Sequence, residues 1–273
     1  MGQQYLSERK VGFIGGGAMA EALLRGLCKI LPPERLAVSD LSQERLEYLK
    51  NELSVNIYKD NEALCRECQI LLLAVKPQVL PKVLASLENV IHKDHLIISV
   101  AAGISLQKLE ALLPEGVAVV RVMPNTPALI GKGASALSRG TAVKDEELEA
   151  ALILMKAVGT AELVPESYMD AVTALSGSGP AYVYLFIEAL IDGAVREGLP
   201  RDLARNLALQ TVIGSAEMVL HSGNHPAVER DKVTSPGGTT IAAIEALEQK
   251  GMRSALFEAL HVAAKRARQL GES

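Results

Sequence analysis

The chain has 273 residues, 49% of them hydrophobic, with a formal net charge of −4 and a pI near 5.8. That is enough apolar material for one large or two medium domains, and it leaves no basic footprint for nucleic acid or an anionic membrane. Only 3% of residues are aromatic and Trp is absent, which also excludes stacking platforms for single-stranded nucleic acid.

Residues 1–10 are polar and lack the apolar core of a secretory signal. With three cysteines, an odd number in a chain this long, they point to a reducing compartment and so to a cytoplasmic location. Residues 10–15 then read as a short apolar strand running into Gly15-Gly16-Gly17-Ala18-Met19-Ala20 and a helix over 21–30. A G-x-G-x-x-A turn between strand and helix is a dinucleotide fingerprint. Gly15 makes the tight turn, Gly17 admits a pyrophosphate to the helix N-terminus, and Ala20 lets helix and strand pack closely.

A second strand, 36–39, ends at Asp40, twenty-three residues past Gly17. An acid there accepts hydrogen bonds from the adenosine ribose and disfavours a 2′-phosphate. Ser39, Ser42 and Arg45 offer the opposite reading, a phosphate site, so both readings stay open. A helix over 43–52, a strand over 55–58 and a short helix carrying Cys65 and Cys68 follow. No second cysteine pair or histidine cluster answers these two, and they read as buried thiols rather than half of a metal site.

Residues 69–75 form an unbroken apolar run, as a central parallel strand should, and Lys76 and Pro77 end it. Helix 77–91, strand 95–100, helix 105–112 and strand 117–121 continue the alternation. The segments after these strands, Val75-Lys76, Ala101-Ala102-Gly103 and Met123-Pro124-Asn125-Thr126-Pro127, fall at the carboxyl edge where open α/β sheets bind ligands. Strands at 133–137 and 161–164 flank a helix over 144–158. The pattern is an α/β fold: a Rossmann-type, doubly wound, mainly parallel sheet over residues 1–164. Strands then disappear, and residues 165–273 read as an all-helical domain.

In that second part, helix 167–175 leads to a break at Ser176-Gly177-Ser178-Gly179-Pro180. The next helix, 181–197, is apolar nearly all round except for Glu188 and Asp192. Two acids one turn apart argue against a membrane span and favour burial among helices, more readily in a shared dimer core than in a monomer. Helix 203–220 follows. The stretch Ser235-Pro236-Gly237-Gly238-Thr239-Thr240 then opens a helix over 239–250. Its hydroxyls are expected to cap that helix, and its N-terminus to favour a small anion.

Taken together, Phe13-Ile-Gly-Gly-Gly-Ala-Met-Ala20, Ala74-Val-Lys-Pro77, Ser99-Val-Ala-Ala-Gly103, Met123-Pro-Asn-Thr-Pro127, Leu175-Ser-Gly-Ser-Gly-Pro-Ala-Tyr182 and Val233-Thr-Ser-Pro-Gly-Gly-Thr-Thr-Ile241 resemble the pyrroline-5-carboxylate reductases. The motifs occur in family order across almost the whole chain. The resemblance implies reduction of a cyclic imine, 1-pyrroline-5-carboxylate, to L-proline with NADPH or NADH. It also implies a helical domain that forms a homodimer, often within a decamer. By the same resemblance Gly15, Gly16, Gly17, Ala18 and Met19 meet the cofactor pyrophosphate and Asn61 lies near the adenosine. Val75, Lys76 and Ala102 line the path to the nicotinamide. Ser235, Gly238, Thr239 and Thr240 hold the substrate, with Thr240 as proton donor, and Glu166 lies near it.

Two positions depart from the family pattern. Lys232 stands where several relatives have Asn, and Asp40 where NADPH-preferring relatives have Ser. The residues bear on two other readings. A β-hydroxyacid dehydrogenase would need a Lys base, which the 176–180 segment lacks. A nucleotide-binding protein without catalysis would have lost Thr240 or the glycine turn, and both are present.

Overall fold

The computed structural model describes residues 1–272, which divide into two compact units. One comprises Met1–Ser178 with the chain from Ala263 onward; the other is Gly179–Val262. The first unit is built on eight strands: β1 (Val11–Ile14), β2 (Leu36–Ser39), β3 (Asn56–Tyr58), β4 (Ile70–Leu73), β5 (Leu96–Ser99), β6 (Ala118–Met123), β7 (Gly133–Arg139) and β8 (Gly159–Leu163). Its helices are α1 (Gly2–Ser7), α2 (Ala18–Leu27), α3 (Gln43–Leu53), α4 (Asn61–Glu67), α5 (Leu80–Ser86), α6 (Leu106–Ala111), α7 (Asp145–Lys156) and α8 (Met169–Val172).

Strand alternation decides the layers, because successive side chains leave opposite faces of the sheet. Phe13, Val38, Leu72, Ile98 and Val120 pack on one face with Leu23, Leu24 and Leu27 of α2 and Leu46 and Leu49 of α3. Ile14, Leu71, Leu73, Ile97 and Val119 pack on the other with Leu64, Leu84 and Leu109 of α4, α5 and α6. With both faces covered, the central strands are apolar apart from Ser99 at the end of β5 and Arg121 in β6, and each large side chain so buried contributes about 1.5–3 kcal/mol.

The strand order is β3-β2-β1-β4-β5-β6-β7-β8, parallel except between β6 and β7. The chain builds outward from β1 to β3, then returns to place β4 on the other side of β1. At such a reversal the flanking connections diverge and leave a crevice at the carboxyl edge.

Two local expectations changed. Residues 2–7, read as a polar lead-in, form α1, which buries Tyr5 and Leu6 and donates the Gly2 N–H to Glu149 Oε2 of α7 at 2.8 Å. Six residues are too few to show a helical period. The helix expected over 77–91 is confined to Leu80–Ser86, since Pro77 and Pro81 restrict its start.

The largest change concerns the expected break at 176–180. Helical structure runs from Glu166 to Arg196, and the glycine-rich segment is absorbed as a π turn, Thr173–Gly177, leading into α9 (Gly179–Arg196). Pro180 has no N–H to give the Ser176 carbonyl four residues back. Asn125 supplies the donor: its Nδ2 reaches Ser176 O at 3.1 Å, while its Oδ1 accepts the Ala134 N–H of β7 at 2.9 Å. Met123 packs closely on Gly177: a Cβ there would stand 2.4 Å from Met123 Cε, so the end of that flexible side chain would have to shift.

The second unit contains α9, α10 (Arg201–Ser222), α11 (Pro226–Lys232), α12 (Thr239–Gln249) and the first half of α13 (Met252–Glu272). No residue of α9 is buried, and only Ala204 and Ala208 of α10 are. By length and composition the run Glu166–Arg196 would suffice to cross a membrane. Glu188 and Asp192 lie within it, however, and Asp192 pairs with Arg201 at 2.8 Å.

Candidate dinucleotide and substrate sites

Gly15 leaves β1 at φ +97, and its N–H donates to Ser39 O at 2.8 Å. A side chain there would meet Ala74 O at 2.9 Å, so glycine is needed both for the turn and for the close approach of β4. Gly17 is the N-cap of α2 and provides no side-chain cap; a Cβ built on it would have nothing within 4 Å. The first N–H groups of α2, from Ala18 and Met19, therefore emerge uncapped at an open turn, an arrangement that suits a phosphate.

The crevice beside this turn has a volume of 600 Å³. It brings together Gly15, Gly17, Asp40, Asn61, Val75 and Lys76 of the expected cofactor residues. Gly16 lies buried beneath the turn, with its N–H on Asp40 Oδ2 at 2.7 Å. Ala102 is not in this crevice; it lines a separate cavity of 370 Å³ with Gly103 and Lys108. Lys59 and Val79 also line the crevice and were not singled out from the sequence. Lys59 directly follows β3, so its position at a strand's carboxyl end was the available signal.

The groups that could have held a 2′-phosphate are committed elsewhere. Ser39 is buried and donates to Asn61 Oδ1 at 2.7 Å, and Ser42 Oγ caps α3 by accepting the Arg45 N–H at 3.2 Å. Arg45 points to the carbonyls of Gly16 and Gly17 and to Glu21. Asp40 uses Oδ1 for the Ser42 N–H at 2.9 Å. Burial pushes the Cys65 and Cys68 thiols up to about 12, so both are neutral core groups. Among the described residues no cluster of His, Cys, Asp or Glu could hold a metal ion.

In the second unit, α11 ends at Lys232 and the chain turns through Ser235-Pro236-Gly237-Gly238. The Gly238 N–H donates to Ser235 O at 3.1 Å, and Gly237 has φ +67. Pro second and a left-handed Gly third are the requirements of a type II turn. Ser235 Oγ lies so close to Gly238 that a Cβ would come within 2.3 Å of it.

The expected hydroxyl cap is not formed. Gly238 is the N-cap of α12 and Thr239 and Thr240 are its first two helical residues, so the N-terminus has no side-chain cap. Gly238 and Thr240 are half-buried. Lys232 is committed to Glu229, with Nζ 2.9 Å from Oε1. Hydrogen bonds from Asn224, Lys232 and Ser222 hold the Glu229 carboxyl down at about 2.

Glu166 lies in the first unit, whereas the other four expected substrate residues lie in the second. Its Oε1 accepts from Arg121 Nη1 at 2.9 Å and from the Leu106 N–H, at the start of α6, at 2.6 Å. The side chains of Arg121 and Glu166 are 10% and 33% exposed, so this pair ties β6, α6 and the start of the helical run together.

A doubly wound sheet with a glycine turn, an acid after β2 and a crevice at the strand-order reversal defines a dinucleotide-binding protein. Residues 10–103 match the family model described as NADP oxidoreductase, coenzyme F420-dependent, and residues 166–270 match that described as pyrroline-5-carboxylate reductase dimerisation. The chain is 48% identical over 269 residues to a pyrroline-5-carboxylate reductase of Methanosarcina acetivorans, covering 98% of this chain and 100% of that one. The solved pyrroline-5-carboxylate reductase of Coxiella burnetii superposes with a TM-score of 0.92 at 36% identity, covering 97% and 99% of the two chains. That of Plasmodium falciparum, solved with NADP bound, gives 0.88 at 35% identity, covering 96% and 98%. The chain belongs to the pyrroline-5-carboxylate reductase family. This sets aside the hydroxyacid dehydrogenase and the non-catalytic alternatives, and it makes the helical part the family's dimerisation domain.

Proposed function

We propose that this protein reduces the C=N bond of 1-pyrroline-5-carboxylate to give L-proline, with residues 15–19, Asp40, Asn61, Val75, Lys76 and Ala102 serving the cofactor. The observation that carries the substrate half is the uncapped start of α12, where the hydroxyls of Ser235, Thr239 and Thr240 have no hydrogen-bond partner in the described chain. Free N–H groups and the positive end of the helix dipole suit the carboxylate of the imine. The open glycine turn fits a dinucleotide, which when bound supplies the hydride.

A protonated imine carbon is electrophilic without a metal or a strong acid, so the protein's tasks are binding, orientation and exclusion of water. Thr240 orients the imine nitrogen and relays a proton to it from water, since a hydroxyl is a poor acid on its own. Glu166 anchors the start of the helical run near the substrate. Asp40 favours NADH at least as much as NADPH, because a carboxylate accepts ribose hydroxyls and repels a 2′-phosphate. The protein works as a homodimer, within a higher oligomer such as a decamer, in the cytoplasm; its odd cysteine count agrees with that compartment.

The test is consumption of NADH and NADPH, in parallel, with pyrroline-5-carboxylate. Wild-type turnover with L-proline as product is expected, and its absence with both cofactors would sink the reading. A hundredfold preference for NADPH would remove the role given to Asp40. Thr240→Val is expected to lower kcat/KM at least about tenfold with cofactor affinity nearly unchanged. Unaltered turnover would take Thr240 out of the mechanism.

A further inference from the structure

Gly16 is held at both of its peptide groups. Its N–H donates to Asp40 Oδ2 at 2.7 Å, and its carbonyl accepts from Arg45 Nε at 2.5 Å. Asp40 directly follows β2 and Arg45 lies in the first turn of α3, so one connection supplies both grips. The Arg45 guanidinium also reaches Gly17 O at 3.4 Å and Glu21 Oε2 at 2.5 Å. Glu21 in turn accepts from Arg25 Nε at 2.9 Å and from the Tyr48 hydroxyl at 3.1 Å. Burial works to raise the Glu21 carboxyl, but the hydrogen bonds from Arg45, Arg25 and Tyr48 outweigh it and hold the group below its ordinary value.

This network has a directional consequence. In a trans peptide the C=O and the following N–H point opposite ways. A Gly16 carbonyl drawn toward Arg45 turns the Gly17 N–H away from α3; the Gly17 carbonyl, which accepts the Glu21 N–H of α2 at 3.0 Å with Arg45 as a longer second donor, sets the Ala18 N–H. Both N–H groups then face the open side of the turn, where Gly17 has no neighbour. A free glycine-rich turn would sample many orientations and lose that freedom on binding; a gripped one has already lost it.

We propose that Arg45 is a positioning residue that, with Asp40, presets the glycine turn for a pyrophosphate, and that it is not a ligand for a 2′-phosphate. The proposal rests on the reading that this turn binds the nicotinamide dinucleotide. It adds that Asp40 has two tasks, so replacing it to change cofactor preference also loosens the turn.

The experiment titrates full-length wild type, Arg45→Ala and Arg45→Lys with NADH and with NADPH, without imine, followed by steady-state kinetics and melting curves. For Arg45→Ala, Kd is expected to rise by the same factor for both dinucleotides, about tenfold, as for loss of a charge-assisted hydrogen bond. The change falls in cofactor KM, with kcat at saturating cofactor within about twofold of wild type. Arg45→Lys recovers part of the affinity, since an ammonium can donate to one carbonyl but lacks the planar fork. Weakening of NADPH alone would make Arg45 a 2′-phosphate ligand and overturn the proposal, as would unchanged affinity for both. Should Arg45→Ala fail to fold, Glu21→Gln, which releases the guanidinium from its far side, is expected to give a smaller rise for both dinucleotides. Unchanged affinities there overturn the proposal equally. A wild type that bound neither dinucleotide would count against the functional reading instead.

Discussion

The central strand β4 of the first unit and α9 of the second are both largely apolar in sequence, yet they differ completely in burial. Every residue of β4 is buried, and none of the eighteen residues of α9 is. In the sheet both faces are covered by helices of the same chain. In α9, side chains such as Leu185, 68% exposed, await a cover that a single chain does not supply. Since the helical part is the family's dimerisation domain, the difference separates a core that one chain completes from a core that two chains share. Apolarity alone does not tell them apart.

The sharpest way to break this contrast is Leu185→Asp. It is expected to abolish dimerisation, read by light scattering as a fall to the mass of a single chain, and to remove activity with it. A dimer of unchanged stability would show that this part of α9 is not at the shared face. In the sheet, Leu72→Ala is expected to cost about 3 kcal/mol, as buried Leu truncations do, read as a lower denaturation midpoint. That loss belongs to the chain's own core, so the mutant dimer should form at the same protein concentration as wild type.

Smaller effects come from the polar ties. Glu166→Ala leaves the nearly buried Arg121 guanidinium unpaired and the Leu106 N–H without its acceptor, and is expected to cost about 1–2 kcal/mol, since Glu166 itself is a third exposed. Recovery in Glu166→Ala/Arg121→Met would confirm that the unpaired charge is the cause.

The smallest effect is one of pH. The folded Glu229 carboxyl, at about 2, lies below its ordinary 4.5, so its contribution is present above the ordinary value and lost as pH falls toward 2. Glu229→Gln should remove a small part of the acid decline in melting temperature over that window. An identical acid slope in the mutant would contradict the assignment.

Much of the first unit was legible beforehand because its signals are local. The run from 69 to 75 announces β4, strand and glycine turn together announce the crevice, and Asp40 is found by counting along the chain. What escaped detection has long sequence separation or too little length. α1 is too short to show a period. Pro180 reads locally as a break, and only the Asn125 amide, far away in sequence, makes the π turn tenable by satisfying Ser176. At α12 the composition was right and the roles were not: the threonines were expected to cap the helix, but Gly238 caps it and leaves their hydroxyls free.

The sequence by itself determined the alternation of strands and helices, the glycine positions that the backbone requires, and which segments fall at the carboxyl edge, because periodicity and turn chemistry act within a few residues. Only the tertiary structure decided how the polar groups were assigned. Asp40 and Arg45 grip Gly16, and Glu166 holds Arg121. A hydrogen bond needs its partners within about 3 Å and in line. Most of these pairs join residues more than twenty positions apart, and only packing brings such partners together.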